Sequence, residues 1–69
     1  MKIILKELLK EAGVTQKEVS EATGVPQAVI SRYMYGVQTY KIEYLIAIKN
    51  FLSKRLGHVN HIDDLFEDE

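Results

Sequence analysis

Thr15-Gln-Lys-Glu-Val-Ser-Glu-Ala-Thr-Gly-Val-Pro-Gln-Ala-Val-Ile-Ser-Arg-Tyr33 is the stretch whose reading decides how this chain folds. It divides into two short helices around a tight turn at Thr23-Gly24-Val25. Thr15 followed three residues later by Glu18 has capping-box spacing, in which two free amides at a helix start are satisfied reciprocally. Gly24 supplies the residue that tolerates positive φ at a turn. Pro26 favours a new helical start, because its fixed φ suits the first turn and no needed N–H is lost there. Val19, Val25, Ile30 and Tyr33 are spaced to close a small core under the turn. Gln27, Ala28, Ser31 and Arg32 are left on the free side of the second helix, a face suited to a polar partner.

The sequence on either side continues in the helical period. Ile4, Leu5, Leu8, Leu9 and Ala12 recur at three- and four-residue spacings, which predicts an amphipathic helix over 2–12 ended by Gly13. The second helix then runs from Thr15 to about Ala22 and the third from Pro26 to about Tyr35. Gly36-Val-Gln-Thr39 reads as a loop. Ile42, Leu45, Ile48, Leu52 and Leu56 predict a longer fourth helix from about Lys41 to Arg55, stopped by Gly57. A last short turn starts at Asn60 or His61 and folds Ile62, Leu65 and Phe66 back on the core. Val29-Ile30 and Ile46-Ala47-Ile48 are too short for strands and lie inside helical patterns. The expected fold is therefore all-α, a compact bundle of five short helices. One domain covers residues 1–66, and 67–69 form a frayed acidic tail.

Composition bounds the function. Of 69 residues, 46% are hydrophobic and 28% charged, as in a compact domain rather than a disordered chain. There is no cysteine, so neither a disulfide framework nor a cysteine zinc site can staple so small a fold. No signal-like or membrane-length apolar run occurs, and the expected location is cytoplasmic. The net charge of −1 averages two unlike parts, because residues 1–62 hold nine Lys/Arg against five Glu while five acids crowd the last seven positions. A mildly basic body permits nucleic-acid binding without demanding it. No phosphate loop and no Ser/His/carboxylate or cysteine arrangement is present, so an enzyme is not expected. His58 and His61 are assigned to capping and solvent. No metal or cofactor is expected.

The central pattern meets the demands of a helix-turn-helix. Steeply crossing helices need small residues where they approach, and Ser20 and Gly24 meet that need. The intervening positions stay polar or small, as entry into a major groove requires. Gly24-Val-Pro-Gln-Ala-Val-Ile-Ser-Arg-Tyr33 followed by Gly36, with Thr15-Gln16 before Val19 and Leu65-Phe66 near the end, resembles the lambda-repressor-like family of phage repressors, Cro proteins and related bacterial regulators. The resemblance covers about residues 3–66. It implies that Gln16 binds a DNA phosphate and braces the recognition helix, that Gln27 and Ala28 touch base edges, and that Ser31 and Arg32 face the groove one turn on. Glutamine can pair with adenine, arginine with guanine, and alanine can pack on a thymine methyl. Thr39, Tyr40 and Lys41, with amides at the starts of the second and fourth helices, are the expected phosphate holders.

Three positions depart from the family's pattern. Pro26 stands where Ser or Thr is common, the loop Val37-Gln-Thr39 lacks the usual cations, and Met34 replaces a glutamate that pairs with an arginine where Leu9 stands here. An apolar Leu9–Met34 contact is expected instead. The partner implied is double-stranded DNA at a near-palindromic operator, read by a homodimer as a repressor-like regulator. Tyr44, Phe51, Ile62 and Phe66 are the candidate dimer residues. A second class of function uses the same fold as a protein-interaction module, antitoxin-like or an anti-repressor subunit, and the acidic tail and uncharged loop point toward it.

Overall fold

The computed structural model describes residues 2–35 and 39–67. In chain order these form strand β1 (Lys2–Ile3), helix α1 (Leu5–Ala12), α2 (Gln16–Thr23), α3 (Gln27–Met34), α4 (Ile42–Ser53), a 3₁₀ turn (Ile62–Leu65) and strand β2 (Phe66–Glu67). The expected loop at 36–38 lies outside the described residues. So do residues 68–69 of the acidic tail, whereas Glu67 lies in β2.

The helices of the central stretch form for the local reasons their sequences carry. Thr15 caps α2 by accepting from the Glu18 N–H at 3.1 Å, while the Glu18 carboxylate accepts from the Thr15 N–H at 3.2 Å. Gly13 and Gly24 end α1 and α2 in the left-handed region, at φ 71° and 79°. Side chains then lock the turn between α2 and α3. The Ser20 hydroxyl donates to the Val25 carbonyl at 2.7 Å, and the Thr23 hydroxyl donates to the Val19 carbonyl at 2.6 Å. Thr23 Oγ1 in turn accepts from the Val25 N–H at 3.2 Å. Thus Ser20 is more than a small residue at a crossing, since it fixes the chain direction entering α3.

The core gathers Leu5, Leu8 and Leu9 of α1, Val19 of α2, Ile30 and Tyr33 of α3, and Leu45, Ile48 and Leu52 of α4. Val25, Leu56, Val59 and Leu65 close it from the connections and the 3₁₀ turn. Met34 packs against this cluster, which includes Leu9, and the two share the wall of one groove. No helix among the described residues is long and apolar enough to cross a membrane.

The all-α, five-helix expectation needs correction at both ends. Residues 2–3 are not the start of α1; they pair antiparallel with β2, Lys2 opposite Glu67 and Ile3 opposite Phe66. The Ile4 N–H donates to the Leu65 carbonyl at 2.8 Å, which extends the junction. The cause is burial: extended backbone seats Ile3 in the core while satisfying amides that a helix start would leave free. The last apolar segment is likewise a 3₁₀ turn leading into a strand. Four α-helices, a 3₁₀ turn and a two-stranded sheet make up the described residues. The fourth helix also ends sooner than its apolar spacing suggests, at Ser53, with Arg55 and Leu56 both donating N–H groups back to the Leu52 carbonyl in a closing turn.

Candidate nucleic-acid interface

Helix α3 turns Ile30 and Tyr33 into the core, and at 3.6 residues per turn this sets the direction of every other side chain on it. Gln27, Ala28 and Arg32 are exposed and Ser31 is half-exposed. The four residues expected to read bases therefore share the face of α3 opposite the core. Pro26 stands just before the helix, and its carbonyl accepts from the Val29 and Ile30 N–H groups. No side-chain cap covers the remaining amides of that first turn.

Two grooves border α3. One runs between α3 and α4 and is lined by Arg32, Thr39, Lys41 and the rings of Tyr33, Tyr40 and Tyr44, with Val29 at its edge. The other lies at the Met34 end of α3 and is lined by Lys6, Leu9, Lys10 and Gln16, with Val14 and Thr15. Among the described residues, no carboxylate lines either groove. Each therefore offers two cations beside neutral polar groups, Arg32 and Lys41 in the first and Lys6 and Lys10 in the second.

The expected phosphate holders divide. Thr39 and Lys41 are exposed and Gln16 half-exposed, all on groove walls. Tyr40 is half-buried between two rings, edge-on to Tyr33 at 5.0 Å and to Phe66 at 5.5 Å. Its ring is a packing element joining α3 to β2. The Lys41 backbone N–H donates to the Tyr33 hydroxyl at 2.9 Å, so that amide is already engaged inside the protein. Residue spacing does not reveal this bond, which joins residues eight apart. It matters because it ties the start of α4 to the reading helix.

The four candidate dimer residues do not gather on one face. Tyr44 and Phe51 share a flank of α4, with Lys41 Nζ 5.1 Å from the Tyr44 ring centroid and the Arg55 guanidinium 4.7 Å from that of Phe51. Ile62 lines a different groove with Ile46 on the other side of α4. Phe66 packs on Tyr40. Of the two histidines, His58 pairs with Glu11 of α1, Nε2 to carboxylate oxygen at 2.6 Å, instead of capping a helix. No group of three or more metal-ligating side chains occurs among the described residues.

Comparison with family models gives a match to the helix-turn-helix family over residues 5–59, four-fifths of the chain. Neither a curated protein nor a solved structure matched the chain.

Proposed function

The chain belongs to the lambda-repressor-like, Cro/CI-type helix-turn-helix family and is a DNA-binding regulator of that class, and from this premise we propose that it binds operator DNA sequence-specifically by laying α3 in the major groove. One observation carries the reading: two grooves adjoin α3 beside its exposed polar face, and among the described residues they carry lysine or arginine and no carboxylate. A helix in the major groove has a phosphate backbone on either side, so it needs cations at both borders and readers between them.

Gln27 and Arg32 are the hydrogen-bonding readers, with Ala28 and Ser31 offering apolar and hydroxyl contact to base edges. Gln16, Thr39 and Lys41, with Lys6 and Lys10, position the backbone. Tyr40 lines the same groove as Thr39 and Lys41 while its ring holds the Tyr33–Phe66 packing. A single eight-residue helix reads only a few base pairs, so useful specificity calls for two copies on a near-palindromic site. Repression follows if that site overlaps a promoter.

The test is duplex binding at several salt concentrations. Gln27→Ala and Arg32→Ala should each lower affinity for the preferred site about 5- to 100-fold, the equivalent of about 1–3 kcal/mol per base-reading pair. Helical circular dichroism should be unchanged. Lys41→Ala should weaken binding to all sequences alike and reduce the salt slope by about one. If Gln27→Ala and Arg32→Ala both bind like the parent on every sequence, α3 does not read bases. A protein-interaction role, favoured by the five acids among the last seven residues, then becomes the better reading.

A further inference from the structure

The groove between α3 and α4 contains a donor that no described residue accepts from. Tyr33 is buried in all but 4% of its surface, yet it lies on the wall of that groove. Its hydroxyl accepts from the Lys41 N–H at 2.9 Å, and Lys41 lines the same groove, which puts the hydroxyl end of the ring there. A phenolic hydroxyl both accepts and donates, so the proton it carries calls for a second partner. Among the described residues that O–H donates to none. Tyr33 is thus a core ring with one unspent donor at a groove wall.

The surroundings of this donor suit an anion. Arg32 and Lys41 lie on the same walls, and neither pairs with a carboxylate among the described residues. Thr39 adds a second hydroxyl to the lining. The rings of Tyr40 and Tyr44 complete it with Val29, and Lys41 Nζ lies 5.1 Å from the Tyr44 centroid. Aromatic walls lower the local dielectric, which strengthens a hydrogen bond to a charged group. The Tyr33 hydroxyl is also polarised from behind. Lys41 is the N-cap of α4, so its N–H stands at the positive end of that helix. A backbone amide in that place ordinarily meets an anion directly. Here it is spent on the hydroxyl, and the chain of two hydrogen bonds passes its polarity to the O–H.

We infer that this groove seats one backbone phosphate of the bound duplex, with the Tyr33 hydroxyl as its buried donor and the Lys41 ammonium as its counter-charge. Arg32 adds positive field to the same groove while its guanidinium reads bases. The inference rests on the reading of α3 as the helix in the major groove, because Arg32 belongs both to the exposed face of α3 and to this wall. Phosphates flank a helix so placed, and contacts to them fix its register without reading sequence. A residue of the core then joins three bodies, namely α3, the start of α4 and the duplex.

Methylphosphonate substitution, which replaces one charged phosphate oxygen by a methyl group at a chosen backbone position, tests the contact when combined with Tyr33→Phe. Each protein is measured at a temperature where circular dichroism shows it folded. On the parent, one position beside the α3 site should lower affinity about tenfold, the scale of a hydrogen bond to a charged group. Tyr33→Phe should weaken binding to unmodified duplexes of every sequence alike. At that one position the methylphosphonate should cost Tyr33→Phe at least threefold less than it costs the parent, and at other positions the same. Lys41→Ala should show the same positional loss. A joint that merely loosens between α3 and α4 gives losses that multiply at every position, and that result in both variants overturns the inference. Inorganic phosphate titrated into the free parent decides the case in which no duplex binds. A saturable shift of the Lys41 amide proton that Tyr33→Phe removes would then uphold the anion seat and refute the DNA-reading proposal. No such shift would refute both.

Discussion

Tyr33 does two jobs that its position in the sequence announces only in part. Its ring is 4% exposed and belongs to the core, as the three-residue step from Ile30 indicates. Its hydroxyl accepts from the Lys41 N–H, a link between residues eight apart that helical spacing cannot reveal. Tyr33→Phe keeps the ring and removes the acceptor. It should cost about 1 kcal/mol, visible as a midpoint about 4–8 °C lower in thermal unfolding of a domain this size. Gly24 was fully legible by contrast, because a turn between two helical patterns asks locally for positive φ. A methyl group at Gly24 meets nothing within 4 Å, so Gly24→Ala tests the backbone alone. It should cost about 1–2 kcal/mol by urea unfolding, and a neutral result would mean that the turn relaxes away from φ 79°.

At the scale of elements, α1 to α4 were readable because each carries its own period and stop signals, whereas the chain ends were not. Ile3 and Phe66 look like extensions of helical patterns, but they are 63 positions apart and pair as strands. Only the tertiary fold brings them together, and the same holds for His58 and Glu11. The 3₁₀ turn before β2 has a local reason that a carboxylate supplies. Asp64 Oδ2 accepts from the Asn60 and His61 N–H groups at 2.9 and 3.0 Å, and these two bonds hold its carboxyl below the ordinary aspartate value. A pKa lowered by folding stabilises the fold above the unfolded-state value and is lost as pH falls through the folded one. Asp64→Ala should therefore lower the unfolding midpoint at pH 7, and the gap from the parent should narrow below about pH 4. A gap that is constant from pH 7 to pH 2 would show that the carboxylate charge contributes nothing there.

For the molecule as a whole, the site divides by how local its logic is. The reading face was legible, because burying Ile30 and Tyr33 forces Gln27, Ala28, Ser31 and Arg32 outward on one helix. Its borders were not, since only the fold sets Lys6 and Lys10 on a groove wall with Gln16. A net charge of −1 hides this arrangement, because Lys6, Lys10, Arg32 and Lys41 line the grooves beside α3 while half of the acids lie in the last seven residues. The central claim, that α3 reads sequence in DNA, is tested most directly by selecting bound duplexes from a random pool with the parent and with a Gln27→Ala, Arg32→Ala double variant. The account predicts a two-fold symmetric motif enriched by the parent and not by the variant. Equal enrichment by both proteins, or none by the parent at low salt, would contradict it.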